Sequence, residues 1–386
     1  MPSFAIVDAR IFDGNIWLDD HALIVEGGRV SAIVPKSALG AGIERRAAGG
    51  ALIVPGFIDL QVNGGGGVMF DGDCGVEGLH KMCSAHARFG TTGLLPTLIT
   101  DTREATAASI ASGIEAARLG MPGFLGLHLE GPHLSLARKG AHDPSLIRPM
   151  DDDDIKALVS ARAELPALMV TLAPENVTTD QVRVLVDAGI RVSLGHTDTT
   201  CETALAYAQA GATLVTHLFN AMSPLAHREP GVVGAALESG NLWAGIIADG
   251  VHVDPVAIGA ALRGKRGPAR IFAVTDAMST IGTDLKSFTL NGRTIERRNG
   301  RLTLADGTLA GADIDMIGTL SYLHGTVQLP LEEALRMVGL YPAQAIGLDA
   351  AKGWLGAGSD ADFVILDNDL NVVSTWIGGQ AVHQAR

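Results

Sequence analysis

Four ionisable residues stand out because each ends a short apolar run. Glu130 closes GFLGLHLE, His196 closes IRVSLGH, His217 closes ATLVTH and Asp276 falls in RIFAVTDA. Runs rich in Val, Ile and Leu read as buried parallel strands. A glutamate, two histidines and an aspartate at the ends of separate parallel strands would converge on one mouth. Glu130, His196 and His217 form a ligand set that leaves positions open for water and substrate, as in catalytic zinc sites. A divalent metal there would lower the pKa of water towards about 7 and polarise a carbonyl oxygen. Asp276 would serve as general base on that water and then as general acid to the leaving group; the alternative is a cap on the next helix. TDTTCETALAYAQAGA, between the two histidines, is enough for one helix, so they occupy equivalent ends of consecutive strands.

Other polar residues group around these four. His142, in KGAHDP, follows the third strand in a long loop and could orient or polarise a substrate carbonyl; otherwise it is a surface histidine. His133 in EGPHL reads as a supporting residue, and Asp249, before a glycine turn, as a structural one. Gln61 and Asn63, in FIDLQVNGGGG, stand where metal hydrolases on parallel barrels often carry His-x-His. Amides are poor ligands, so one of two usual metal positions is weakened or absent, leaving these two in a supporting or water-mediated place. The run Gly64–Gly67 lacks a following Lys-Ser/Thr and dinucleotide spacing, and reads as a mouth loop. In THLFNAMSPLAHREPG, Asn220 and the Ala221 N–H could donate to an anion and Arg228 could clamp it, a surface ion pair being the plainer reading of Arg228; IADGVHVDP adds His252. His80, His86, His227 and His383 have no supporting context.

The elements that must position these groups follow from the pattern. Eight candidate strands run Phe57–Asn63, Thr92–Leu98, Gly126–Glu130, Leu168–Glu175, Arg191–His196, Leu214–Asn220, Trp243–Gly250 and Arg270–Ala277. Helical periodicity in GLHKMCSAHARFG, DIKALVSARAEL and TTDQVRVLVDAGI separates several of them. This repetition predicts an α/β fold, a (β/α)8 TIM-type barrel over 55–350, with its chemistry at the C-terminal strand ends. LKSFTLNGRTIERRNGRLTLADG predicts a β-hairpin insertion near 285–308, and EEALRMVGLYPAQAIG a closing helix. Residues 1–54 and 351–386 read as strands, neither set numerous enough alone, and are expected to combine into one small β-sandwich domain.

Composition sets the outer bounds. Hydrophobic residues make up 47% and charged residues 18% of 386, enough for a large core, and 48 glycines suit many tight turns. A net charge of −13 argues against nucleic acid or an anionic membrane as partner. Cys74, Cys83 and Cys201 form no CxxC pair and read as reduced thiols. With no signal-peptide pattern and no run of apolar residues long enough to span a bilayer, a cytoplasmic protein is expected.

PGFIDLQVNG, HLEGPH with KGAH, LGHTD, THLFNAM with REPG, ADGVHVDP and VTDAM, in that order, resemble the amidohydrolase superfamily. Within it they are similar to the N-acetylglucosamine-6-phosphate deacetylases, from about Pro55 to Gly311. The resemblance implies hydrolysis of the acetamide of N-acetylglucosamine 6-phosphate to glucosamine 6-phosphate and acetate. It implies one divalent metal per subunit, zinc first and iron, cobalt or manganese after it, held by Glu130, His196 and His217. It implies Asp276 as acid/base, Ala141 and His142 as substrate contacts, and Asn220, Ala221, Arg228 and His252 around the phosphate. A homodimer sharing some of these residues across its interface is implied too. Gln61 and Asn63 agree with one-metal members. LAGAD departs from the usual Leu-Ala-Gly-Ser, so Ala312 is left out of the site. Two rivals stand beside this. One is another amide hydrolase of the superfamily, such as an N-acyl-D-amino acid deacylase; a dihydroorotase-like enzyme would want a strand-end lysine, and Lys139 and Lys156 fall in a loop and a helix. The other is a non-catalytic barrel scaffold.

Overall fold

The computed structural model describes residues 3–385; Met1, Pro2 and Arg386, part of the expected terminal strand regions, lie outside them. Eight parallel strands form the central sheet: β1 (Phe57–Val62), β2 (Thr91–Ile99), β3 (Leu127–Glu130), β4 (Leu168–Leu172), β5 (Arg191–Leu194), β6 (Leu214–Val215), β7 (Trp243–Ile247) and β8 (Ile271–Val274). They neighbour one another in chain order, and β8 meets β1 through Asn63 N–H to Ala277 O at 2.8 Å and Asp276 N–H to Gln61 O at 3.0 Å. The sheet is thus a near-closed barrel, and its strands are buried on both faces, which is why they read as unbroken apolar runs. Intervening helices start on side-chain caps: Thr178 with Gln181, and Asp151 with Asp154, form capping boxes, and Thr200 caps Cys201–Gln209.

All the barrel strands but β2 are shorter than the pattern predicts, and three of the early stops fall at functional residues. β5, β6 and β8 stop before His196, His217 and Asp276, because those residues take φ of 48°, 28° and 53°. The chain leaves the extended conformation just where each functional side chain must enter the mouth, and hydropathy does not record that turn.

Below the mouth the barrel interior is polar. Thr97 Oγ1 commits its hydrogen to Leu95 O (3.1 Å), so His128 Nδ1–H donates to Thr97 (3.3 Å). His128 Nε2 then accepts from Thr171 (2.7 Å), Thr171 from Thr216 (2.7 Å) and Thr216 from Ser193 (2.6 Å). Burial pushes the His128 pKa down to about 4, so the ring stays neutral within this one-way chain.

Strands from both ends of the chain build one seven-stranded sheet, ordered Gln380–Gln384, Val372–Ile377, Phe363–Leu366, Glu44–Pro55, Phe4–Phe12, Trp17–Glu26, Arg29–Pro35. Gly49 and Gly50 do not end Glu44–Pro55; they sit at a register shift within it, at φ of 67° and 86°. Phe4 and Trp376 lie three strands apart, about 14 Å in a flat sheet, yet their ring centroids are 5.6 Å apart. The sheet therefore curls over its own apolar face, sandwich-fashion, around Phe363, Ile6, Val25 and Ile53.

Two expectations need correction. The insertion is a four-stranded antiparallel sheet (Ser287–Leu290, Arg293–Arg298, Arg301–Thr303, Leu309–Ala312), not a hairpin ending near 308. Its last strand returns to the barrel, Ala312 N–H donating to Asp276 O at 2.8 Å. The closing helix is two helices, Leu331–Val338 and Leu340–Ile346, broken at Gly339. In one continuous helix Pro342 would clash with the Val338 carbonyl; in the first turn of a new helix it is tolerated.

Candidate active site

Glu130, His196 and His217 meet at the C-terminal ends of β3, β5 and β6. His217 Nε2 lies 3.1 Å from Glu130 Oε1 and 3.1 Å from His196 Nε2, and His196 Nε2 lies 3.3 Å from Glu130 Oε1. Ligand atoms on a tetrahedral cation with bonds of about 2.0–2.1 Å are about 3.3 Å apart, so these three atoms already have the spacing of a coordination sphere. His196 Nδ1–H donates to Arg138 O at 2.8 Å, which leaves Nε2 bare towards the site. Burial alone would raise the Glu130 pKa; the His196 and His217 rings against it outweigh that and hold the carboxyl well below its usual range. Burial likewise opposes charge on His217, and Glu130 overcomes it, raising the imidazole pKa.

His142 joins the same cluster: one ligand-type atom from each of Glu130, His142 and His196 falls within 4.8 Å of the others. Its hydrogen bonds point to a different use. Thr100 N–H faces His142 Nδ1 at 3.3 Å, so that nitrogen accepts and Nε2 carries the hydrogen into the cavity, 4.0 Å from Glu130 Oε2. Burial, then the neighbouring His196, push its pKa down to about 3. A neutral imidazole presenting N–H suits a carbonyl oxygen better than a cation.

Asp276 faces this group from just beyond β8. Its Oδ1 accepts from Gln61 Nε2 (3.1 Å) and Asn63 Nδ2 (2.6 Å), while Gln61 Nε2 also reaches Glu130 Oε1 (3.2 Å). The protein packed around Asp276, then the Glu130 charge, push its pKa up to about 6. Gln61 thus ties the acid/base candidate to the ligand set, and Asn63 holds the same oxygen of Asp276.

One cavity of about 250 Å³ connects these groups with Ala141, Asn220, Ala221 and His252. The turn after β6 is tight: Phe219 and Ala221 take φ of 80° and 51°, which carries Asn220 and Ala221 to the cavity wall. His252 Nδ1–H donates to Asp249 Oδ2 at 2.6 Å, leaving Nε2 free, and Asp249 also accepts from the Val251 and His252 N–H groups, a structural role. Arg228 is not brought in; it is exposed and makes no ion pair or hydrogen bond with a described residue. His133 is outside as well, at Arg148 O (3.0 Å) and Asp154 (3.6 Å).

The four-stranded insertion supplies a roof that the sequence pattern did not reveal. Leu290, Leu309 and Gly311 line the cavity with Met278, and an Arg293 N–H donates to Ala141 O beside His142. The alternation in SFTLNGRTI foretold strands, but nothing in it told which barrel end they would cover.

A barrel with two histidines, a glutamate and an aspartate at its C-terminal strand ends defines the class, a hydrolase of the parallel-barrel type. The chain belongs to the amidohydrolase family, which residues 52–382 match; residues 3–53 match the NagA composite domain. An N-acetylgalactosamine-6-phosphate deacetylase of Shewanella sp. (strain ANA-3) is 42% identical over 86% of this chain and 84% of its own. An N-acetylglucosamine-6-phosphate deacetylase of Haemophilus influenzae is 38% identical over 98% of both chains. The solved N-acetylglucosamine-6-phosphate deacetylase of Pasteurella multocida has a TM-score of 0.94 at 38% identity, covering 98% of this chain and 99% of that one.

Proposed function

We propose that this chain hydrolyses the acetamide of an N-acetylamino sugar 6-phosphate, N-acetyl-D-glucosamine 6-phosphate first, releasing acetate and the amino sugar phosphate. One observation carries the reading: a two-His, one-Glu cluster, a neutral imidazole donor and an amide-held aspartate share one cavity with Asn220, Ala221 and His252. The relatives' names support it.

Glu130, His196 and His217 would hold the divalent cation, zinc by ligand type, with iron, cobalt and manganese also accepting the set. When bound, the cation lowers the pKa of water and polarises a carbonyl oxygen. His142 Nε2–H would donate to the acetyl oxygen as negative charge develops there. Asp276 would take the proton of the attacking water at Oδ2, Oδ1 being occupied by the two amides. It would then return that proton to nitrogen as the C–N bond breaks, so one residue serves as base and acid in turn. Asn220, the Ala221 N–H and His252 would receive the phosphate. Arg228 is exposed and does not line its own cavity, and Leu225 nearby is 57% exposed. Both features support a homodimer in which Arg228 completes the partner's phosphate site.

A second substrate, the 4-epimer N-acetylgalactosamine 6-phosphate, is favoured by the Shewanella relative. No described helix is long and apolar enough to cross a membrane, and a phosphorylated sugar, which does not cross one unaided, supports a cytoplasmic place of work. The test is kcat/KM for the two epimeric 6-phosphates and for unphosphorylated N-acetylglucosamine, with metal-loaded enzyme and detection of acetate. A large excess for a phosphorylated sugar supports both the reaction and the anion site. Equal turnover with and without phosphate removes the anion site, and no turnover removes the reaction.

A further inference from the structure

We propose that Asn63 grips the scissile amide, its Oδ1 accepting the substrate N–H and then an N–H of the leaving amine. The proposal rests on the deacetylation reading above. Asn63 is 1% exposed and lines the cavity. Its Nδ2 donates to Asp276 Oδ1 at 2.6 Å. A carboxylate only accepts, so Asp276 dictates which way the amide faces: NH₂ towards Asp276, oxygen away from it. That oxygen, though buried, has no hydrogen-bond partner among the described residues. The main chain gives it no freedom to find one, because Asn63 N–H donates to Ala277 O (2.8 Å) and Asn63 O accepts from Phe70 N–H (2.8 Å). A buried carbonyl without a protein donor is costly, so an unpartnered oxygen on a cavity-lining residue points to a donor brought by the ligand.

The substrate's amide brings one acceptor and one donor. Its carbonyl is directed at the Glu130, His196 and His217 cluster and at His142. Among acceptors near that cluster, Glu130 is engaged by His196 and His217, and Asp276 Oδ1 already accepts from two amides. Oδ2 of Asp276 is needed for the proton in transit. Asn63 Oδ1, buried and unpartnered on a residue that lines the cavity, is a neutral acceptor open to the N–H. When water adds to the carbonyl carbon, the nitrogen becomes pyramidal. With its hydrogen held by Asn63, its lone pair is steered towards Asp276, the carboxyl bonded to the same side chain. The C–N electron pair passes to nitrogen, Asp276 supplies the proton, and a neutral amine leaves.

The experiment compares kcat/KM for N-acetylglucosamine 6-phosphate and for its ester counterpart, 2-O-acetylglucose 6-phosphate, which has no N–H. Metal-loaded wild type, Asn63→Leu and Gln61→Leu are measured. Gln61→Leu removes the other amide donor to Asp276, and with it the contact to Glu130, but leaves Asn63 Oδ1 in place, and so reports what loosening these carboxylates does to each substrate. The amide-to-ester ratio should fall roughly tenfold further in Asn63→Leu than in Gln61→Leu, as expected for losing a hydrogen bond inside a site. An equal fall in both variants overturns the proposal, since Asn63 would then act only through Asp276. If Asn63→Leu does not fold, Asn63→Ala is measured against Gln61→Ala by the same criterion. Failure of wild type on both compounds sinks the deacetylation reading itself, a result distinct from the other two.

Discussion

At Asp276 two amides crowd one carboxylate oxygen and leave the other to the cavity. This asymmetry gives the group a fixed orientation and a single open oxygen for the proton it is proposed to carry. Asp276→Asn should therefore keep its metal, since Glu130, His196 and His217 are untouched, and lose about 10²–10⁴-fold in kcat. Metal analysis beside steady-state rates checks both halves, and a fully active variant would mean the base is elsewhere. Asp59 is a second aspartate worth isolating. It is fully buried on β1, where its carboxyl accepts from Thr275 N–H and Oγ1 and from Gln61 N–H, so it staples β1 to the residue before Asp276. Burial raises its pKa from 3.8 to about 7, with Thr275 opposing. Because the folded value lies above the unfolded one, Asp59 contributes stability fully below about pH 4, and that contribution disappears as pH rises through about 7. Asp59→Asn cannot titrate, so the Tm difference between wild type and variant should move in the variant's favour from about pH 5 to pH 8. Parallel Tm curves would show that the folded pKa is not raised.

Among the elements, the strand ends matter most. Gly195 sits between β5 and His196, and a Cβ there would lie 2.8 Å from Thr171 Cγ2 and 2.8 Å from Thr216 Cβ. Gly195→Ala must therefore push on β4 or β6 and tilt His196. We expect a cost of about 1–3 kcal/mol, typical of overpacking, and weaker metal binding, read from melts with and without zinc. Unchanged melts in both conditions would show that the barrel absorbs the methyl group. The same strand ends explain how far the sequence could be read. Buried parallel strands leave unbroken apolar runs, so the polar residues that end them (Glu130, His196, His217, Asp276) were conspicuous, and their spacing over repeated βα units gave the barrel. Hydropathy carries no φ, so the actual stops of β5, β6 and β8 were not legible. The amide grip of Gln61 and Asn63 on Asp276 joins the first strand to the last, a contact that exists only once the barrel closes. Gly339 and Pro342 did record the helix break, but the apolar periodicity of EEALRMVGLYPAQAIG runs across it and hid it. The roof over the cavity is a long-range placement of strands whose own pattern was plain.

For the whole molecule, the decisive question is whether one copy is enough. Arg228 lies outside its own cavity, without a partner among the described residues. If it completes the site of a second copy, Arg228→Ala should lose roughly ten- to a hundredfold in kcat/KM on the phosphorylated sugar, the worth of a charge-assisted hydrogen bond of about 1.5–3 kcal/mol. Mixing it with Asp276→Asn sharpens the test. In a mixed dimer one cavity receives both an intact Asp276 and an intact Arg228, so activity should reappear when the two weak variants are refolded together. No recovery in dimers that demonstrably exchange would place Arg228 outside the reaction. The terminal sheet raises a matter of timing. Glu44–Pro55 lies between Phe4–Phe12 and Phe363–Leu366, pairing Leu52, Ile53 and Val54 with Leu366, Ile365 and Val364. On the ribosome its first neighbour is made before it, but its second emerges only after every barrel strand. Until then a bare apolar edge, the kind that neighbouring nascent chains can join, accompanies the whole of barrel synthesis. That edge stays open until the strand beyond the barrel is made, so a chain cut short within the barrel would carry an open seam prone to aggregate.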